Sequence, residues 1–460
     1  MPNQLITARQ SREVDISEFI LISNDQKKQK DISNIITDLY YYESVLQEAV
    51  RISVLYVDTG KSVNDGESLK TLMDGMPLVG QEKTSVKIKD GNNNEIKLDV
   101  YINKITPMKQ DTTKSLIGLD LVSREGVLNY KIALNTRFDG KISDSVRRIL
   151  TDQNYLNTKK KLDIEETANT YNFIGNQKRP FYACVWLAKK SVPKDIQQGS
   201  TAGYFFFETS QGFKFRSIDG LLSDTEPGTG NKKDYKSLIF NQTPDSLGAN
   251  IPAGYSAKIL EHNVDDVSGD IQSKLQIGTY TTRTILFDPF NCYYEVFTPT
   301  SGQTEKKIKL AGKNLPKLNP EFNREGSNKD FTRTQYMLID RGTLPTGNTK
   351  QQIDKSQEEN FDPKNILSQS SMRYNQLFNT KTTITIVADF SLHAGDLIYI
   401  DYPELSNKET QQLNKQFGGY YIIADLCHYI SIKTGGFTKL TLVRDSVGKK
   451  GDPWGNYKPL

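Results

Sequence analysis

The sequence predicts a mainly β protein with α+β parts, and three observations carry that expectation. From Thr382 the chain reads TTITIVADFSLHAGDLIYIDYPEL, then a polar loop, then GGYYIIADLCHYISIKTGGFTKLTLVRDS up to Ser446. Ile384, Ile386 and Ala388 alternate there with Thr383, Thr385 and Val387, the period of a half-buried antiparallel strand. A second run of alternating strands occupies the first 125 residues. Helical spacing is clear only between these runs and in one segment after Pro363.

The elements follow in chain order. Ile16–Ser23 reads as a first strand, and Asp31–Asp58 holds a clear strand ending at Asp58. The first half of that segment would also suit a helix through Ile32, Ile36 and Leu39. The run Tyr40-Tyr41-Tyr42 tips it towards strand. Ser85–Lys89 and Ile96–Asn103 alternate around Asp90-Gly91-Asn92-Asn93-Asn94, a hairpin, and Ser115–Ser123 closes a meander of five or six strands. That number suffices for a small barrel or sandwich.

After about residue 126 the period changes. Lys141–Thr151 carries Ile142, Val146, Ile149 and Leu150 at helical spacing, with Ser143 near the N-cap. Pro180 opens a second helix with Phe181, Cys184, Val185 and Ala188 on a buried stripe. Gly203–Thr209 and Phe213–Ile218 are dense aromatic strands joined through Ser210-Gln211-Gly212, which makes this an α+β module. GYFFFET is apolar on both faces, so it is expected to be buried on both or to enter a subunit interface.

Asp224–Lys233 is a loop and a candidate boundary. Strands return at Ser256–His262 and Thr279–Phe287, and Pro299–Asn360 is polar with little apolar periodicity. Asp362-Pro363 announces a helix carrying Ile366, Leu367, Tyr374, Leu377 and Phe378. Ala394-Gly395-Asp396 and Thr434-Gly435-Gly436 are turns between the final strands. No clean internal sequence repeat is visible.

Composition bounds the function. The chain has 460 residues, enough for two to four domains, and a formal net charge of +4. Its charges are interspersed, so it has no electrostatic footprint for nucleic acid or anionic membrane. Cys184, Cys292 and Cys427 are sparse and odd in number, which predicts no disulfide framework and a reducing assembly compartment. The N-terminus lacks the features of a signal peptide, and no window approaches a membrane span.

Candidate chemistry is thin. His262 lies near Glu261, Asp265, Asp266 and Asp270, but the spacing fits neither an EF-hand nor a zinc site, and Glu261–Asp270 reads as a solvated acidic loop. Cys427 and His428 are strand neighbours facing opposite sides, and His393 reads as a surface turn residue. Pro227–Lys232 lacks the phosphate-loop pattern. Glu208 and Asp219 are the one pair that a glycosidase reading could use. No catalytic, cofactor-binding or metal-binding residue is assigned, and no cofactor is expected.

Arg179–Val192 (RPFYACVWLAKKSV) with Ala202–Leu222, Ile36–Gly60, and Gly418–Ser446 together resemble segments of the tail hub proteins of contractile-tailed phages. That is the family of the T-even phage baseplate hub subunit, related to the hub part of type VI secretion spike proteins. The resemblance implies two small antiparallel, tail-tube-like β-barrel domains plus an α+β domain and a polar insertion. It divides the chain into a first barrel (1–125), an α+β domain (126–240), the first part of a second barrel (241–300), an insertion ending in a helix (301–380), the barrel's second part (381–447) and a tail (448–460). By the same resemblance the chain is a non-enzymatic virion component of a myovirus baseplate, assembled in the host cytoplasm. It would form a homotrimer whose six barrels make a pseudo-sixfold ring. The ring would adapt the tail tube, or a tube-initiator protein, to a central spike, with wedge proteins around it. DNA would only pass through the channel. No spike sequence follows Val447, so the spike is expected to be a separate polypeptide. The alternatives are a tail-associated receptor- or carbohydrate-binding protein and a cell-wall-degrading tail enzyme.

Overall fold

The structure is a computed structural model and describes residues 14–64, 68–195, 201–225, 233, 235–240, 258–266, 270–289, 292–298, 308–322, 333–338, 348–350, 363–402 and 416–451. It is mainly β. The first module holds β1 (Val14–Ile22), β2 (Gln29–Asp31), β3 (Ile36–Ser44), β4 (Arg51–Asp58), the short pair β5 (Val63–Asn64) and β6 (Leu69–Lys70), α1 (Leu72–Gly75), β7 (Lys83–Asp90), β8 (Glu95–Gln110) and β9 (Ser115–Ser123). Thr71 caps α1 by accepting from the Asp74 amide. The ambiguous Ile36 segment is a strand, because Ile36, Leu39 and Tyr41 are buried on one face between two partner strands.

The middle module holds α2 (Arg124–Lys131), β10 (Arg137–Phe138), α3 (Ile142–Thr151), β11 (Leu162–Ile164), β12 (Phe173–Ile174), α4 (Pro180–Ala188), β13 (Tyr204–Thr209), β14 (Gly212–Ser217) and α5 (Ile218–Leu222). Lys141, not Ser143, is the N-cap of α3, and Ser143 is buried inside the helix. Every residue of β13 is buried. Tyr204 and Phe206 pack with α3 and α4, while Phe205 and Phe207 pack against α5 and the final strands. Burying such side chains contributes roughly 1.5–3 kcal/mol each, so this one strand welds two cores together.

Gly212 ends the turn between β13 and β14 at φ +129°, and a Cβ there would lie 2.1 Å from the carbonyl oxygen of Lys161. Both the backbone conformation and the space exclude a side chain. Gly212→Ala is expected to lower the unfolding free energy by about 2 kcal/mol or more, read as a shifted urea midpoint. An unchanged midpoint would refute this packing.

The rest of the chain supplies β15 (Lys236–Phe240), β16 (Lys258–Asp266), α6 (Ile271–Ile277), β17 (Thr282–Asp288), β18 (Tyr293–Phe297), β19 (Arg333–Leu338), α7 (Pro363–Leu377), β20 (Thr380–Val387), β21 (Leu397–Asp401), β22 (Gly419–Ser431) and β23 (Gly435–Arg444). Thirteen strands form one continuous sheet in the order β2-β1-β7-β8-β9-β4-β3-β22-β21-β15-β16-β20-β23, with β22 also paired to β23. β15, inside the stretch read as the middle module, joins this sheet. β17 and β18, read as strands of the second module, instead form a separate three-stranded sheet with β19. The acidic stretch from Glu261 is not a loop: β16 pairs with β20 as far as Asp266. Asp270 then caps α6 by accepting from the Ser273 amide.

The pairing order repeats within the chain. The first module runs β1-β7-β8-β9-β4-β3, and the second runs β15-β21-β22-β23-β20-β16. The bulge at Ile102/Lys104 in β8 recurs at Ile423/Asp425 in β22, and the bulge at Ile36/Asp38 in β3 recurs at Ile259/Glu261 in β16. The modules differ in direction: β1 is antiparallel to β7, whereas β15 is parallel to β21. They differ too in that β15 also pairs with β16 in the second module.

Candidate functional site

The two β modules meet where β3 pairs antiparallel with β22, from Asp425↔Ser44 to Ser431↔Asp38. This ladder makes their sheets one. Tyr40 and Tyr429 stack across it at 4.8 Å, and the Tyr429 hydroxyl donates to Asp38 at 2.8 Å. Ser44 Oγ donates to Asp425 at 2.5 Å. Behind the ladder Tyr421 and Ile423 face the core shared by both modules, while Tyr420, Ile422 and Ala424 face the middle module.

Three buried polar nodes hold the modules in register. At the first, the Glu43 carboxylate at the end of β3 accepts from the Ser210 amide and the Ala394 amide, each at 2.8 Å, and from the Tyr41 hydroxyl at 2.6 Å. His393 Nδ1 lies 3.4 Å away. One side chain thus ties a strand of the first module to a turn in each of the other two. Burial alone would push its pKa up, but the His393 and Tyr41 hydrogen bonds and the backbone donors prevail and hold it down at about 2. His393, read as a surface turn residue, is therefore buried, because its turn is pressed against β3.

At the second node Arg373 on α7 lies buried between Asp219 (3.1 Å) and Asp445 (2.6 Å) and also donates to the Lys309 carbonyl at 2.6 Å. Asp219 further accepts from Thr201 and the Lys309 amide, and Asp445 accepts from the Ala311 amide. At the third node Glu208 accepts from Ser123 at 2.7 Å and the Val50 amide at 3.1 Å and pairs with Lys160, which also reaches Glu125 at 2.8 Å. Burial pushes the carboxyls of both Asp219 and Glu208 up, against the pull of Arg373 and Lys160.

Glu208 and Asp219 thus belong to separate nodes, each about 1% exposed. Both are spent on tying backbone and cations, and neither faces an open cleft. His428 stacks on Tyr41 and meets Phe390 edge-on, with Nδ1 2.8 Å from the Thr438 hydroxyl. Cys427 is half-buried on the other face of β22. His262 Nε2 lies 2.8 Å from the Thr382 hydroxyl, and its ring packs on Tyr402. Asp90 fastens its own hairpin through the Asn92 and Asn94 amides and also accepts from the Phe390 amide of the second module. Pro227–Lys232 lies outside the described residues. Among those described, no group of three or more His, Cys, Asp or Glu could hold a metal ion, and no helix is long and apolar enough to cross a membrane.

Sequence reading missed Arg373, Glu43 and Lys160. For Arg373 a signal existed: it lies four residues before the buried Leu377 and three after the buried Ser370, on the apolar stripe of α7. Two surfaces stand out beside the nodes. A groove of about 900 Å³ runs over the outer face of the junction, lined by Tyr42, Arg51, Asp120, Tyr130, Asp425 and Lys439. The outer face of the β18-β17-β19 sheet exposes Phe287, Tyr294, Tyr336 and Leu338, Tyr336 by 78%.

No family model matches the sequence, and no curated protein matches it. Solved structures do. A tail protein from Neisseria meningitidis is 8% identical, with 94% of this chain and 97% of that one covered and a TM-score of 0.49. The 43 kDa tail protein of prophage MuSo2 from Shewanella oneidensis is 10% identical, with 93% and 98% covered and a TM-score of 0.49. An Escherichia coli component of the type VI secretion system, described as structurally similar to T4 bacteriophage tail proteins, is 8% identical, with 97% and 79% covered and a TM-score of 0.41. By their descriptions these structural neighbours are tail and secretion-system proteins.

Proposed function

We propose that this chain is the structural hub subunit of a contractile phage tail baseplate. Three copies form a ring of six barrel-like β modules around an axial opening. The ring adapts a sixfold tail tube to a threefold spike, lets DNA pass, and sits among the other baseplate proteins of the virion. The observation that carries the reading is the internal repeat: two modules with one pairing order and shared bulges, joined edge to edge by β3 and β22. A chain that already contains two such units in lateral contact generates pseudo-sixfold symmetry from a trimer. The buried nodes support a structural role, since the chain's one candidate carboxylate pair is sealed inside them. We accordingly assign no catalytic activity.

Electron microscopy of the purified chain, alone and with its spike protein, tests the proposal. Class averages should show six-lobed rings with a central opening. Particles of one chain's size under both conditions would overturn it. The exposed tyrosines of β18 and β19 favour a second reading, carbohydrate binding through that outer sheet face. Glycan-array binding that disappears in Tyr294→Ala/Tyr336→Ala would establish it.

A further inference from the structure

We infer that Lys236 and Asp389 become joined by an amide bond, the lysine Nζ displacing water from the aspartate carboxyl group. The inference goes beyond the hub reading and does not depend on it.

The fold makes neighbours of two residues that are far apart in sequence. Lys236 opens β15, and Asp389 stands just past the end of β20, on the way to β21. Lys236 Nζ lies against Asp389 Oδ2, the aspartate side chain being 3% exposed and the lysine 25%. A buried ion pair offsets its lost hydration only when its charged atoms are also hydrogen-bonded. Here Oδ2 has no hydrogen-bond partner among the described residues, so the contact is not that of a settled ion pair.

The other half of the carboxyl group is firmly held. Oδ1 accepts from the Ser391 amide at 3.1 Å and from the Ser391 hydroxyl at 2.5 Å, while the Asp389 amide donates to the Thr438 hydroxyl at 3.0 Å. The two oxygens are thus differentiated. Two donors on Oδ1 polarise the carbonyl and stabilise the charge that develops there when Cγ is attacked. Oδ2 is left as the oxygen that can depart. Leu238, Ala388 and Phe390, next to the pair in the chain, all belong to the large apolar core.

Burial also brings the lysine pKa down to about 8, so part of the amine is an uncharged nucleophile near neutral pH. The charge of Asp90 acts on Lys236 in the opposite sense, which places a third carboxylate beside the pair. Asp90 Oδ2 accepts from the amide of Phe390, the residue that follows Asp389. This group can carry a proton between the reacting atoms.

The step balances. One proton passes from the ammonium to Oδ2 within the pair. Nζ then attacks Cγ and forms the C–N bond. Asp90 takes a second proton from Nζ and returns it to Oδ2, the Cγ–Oδ2 bond breaks, and water leaves. Ammonium and carboxylate become one neutral amide and one water, with no oxidant, reductant or co-reactant. The strand that gains is β15, whose ladder is short: four residue pairs with β21 and two with β16. A covalent tie at its first residue keeps it in place when that ladder opens.

Mass spectrometry of the full chain tests the bond. Under denaturing conditions the wild-type protein should weigh one water less than its sequence requires. A tryptic digest should contain a branched peptide linking Lys236 to Asp389 and uncut after Lys236. Lys236→Arg and Asp389→Ala should each show the full mass of their sequence and no branched peptide. Asp90→Asn, which keeps an acceptor oxygen but cannot carry the proton, should leave at least tenfold less of it. A wild-type chain at full sequence mass, fresh and after prolonged incubation, would overturn the bond and leave a buried ion pair. A lost water that maps to a succinimide, with no branched peptide, would overturn it equally. Both decisive readings come from the wild-type chain, so they hold even where a variant fails to fold.

Discussion

Replacing Arg373 with methionine lowers the unfolding free energy by about 3–5 kcal/mol. The guanidinium is about 1% exposed and lies between Asp219 and Asp445, which are equally buried. Taking it away leaves two carboxylates out of water with no cation, and that uncompensated desolvation is the cost, not the lost ion pair itself. The damage should also spread. Arg373 is on α7, Asp219 opens α5 of the middle module, Asp445 follows β23, and Lys309 precedes β19, so segments far apart in the chain share this group. Urea unfolding followed by tyrosine fluorescence and circular dichroism reads the effect. A loss under 1 kcal/mol, or about the value of a surface pair, would contradict the burial described. The triple change Arg373→Met/Asp219→Asn/Asp445→Asn should recover part of the loss, because no orphaned charge remains.

Mild acid destabilises the fold through His428. Burial drives the pKa of this imidazole down to about 3 from an ordinary 6.5. The unfolded chain therefore binds a proton below pH 6.5 that the folded chain refuses until about pH 3. Stability from this group is fully present above pH 6.5 and falls as pH drops, by about 1.4 kcal/mol per unit across that window. Glu43 adds a second, lower window. Its folded pKa of about 2 lies below an ordinary 4.5, so its contribution is present above pH 4.5 and is lost as pH falls towards 2. Urea midpoints at pH 7, 6 and 5 should thus decline steadily, and His428→Gln should flatten the decline. A wild-type profile that is flat between pH 7 and pH 5 would show that His428 is not sealed against Tyr41 and Phe390.

Much of the fold was legible because half-buried strands announce themselves. Val86, Ile88, Ile96, Leu98 and Val100 alternate into the core as their spacing requires, and Gly435-Gly436 opens β23 where the turn was expected. GYFFFET was readable as a strand covered on both faces, and both covers come from this chain. The readings that failed were local rules overruled by tertiary contacts. Nothing near His393 or Glu261 in sequence tells that β3 presses on one and β20 pairs with the other. The internal repeat was hidden for a different reason. β8 (EIKLDVYINKITPMKQ) and β22 (GYYIIADLCHYIS) share a partner order and a bulge but hardly a residue. Backbone pairing constrains period and register, whereas side-chain identity follows what each face touches. β22 is covered on both faces at its start and is apolar throughout that stretch, while β8 ends in solvent. The nodes were invisible in sequence because Glu43 meets Ala394 across 351 positions and Arg373 meets Asp219 across 154.

In the proposed hub, one chain carries two equivalent modules that complete a ring only in threes. Native mass spectrometry of the assembled protein tests it most directly. With a chain mass of 52.1 kDa, a discrete species of about 156 kDa, three times that mass, is expected. A protein that remains at one chain mass in the presence of its spike, or that assembles as a dimer or tetramer, would contradict it.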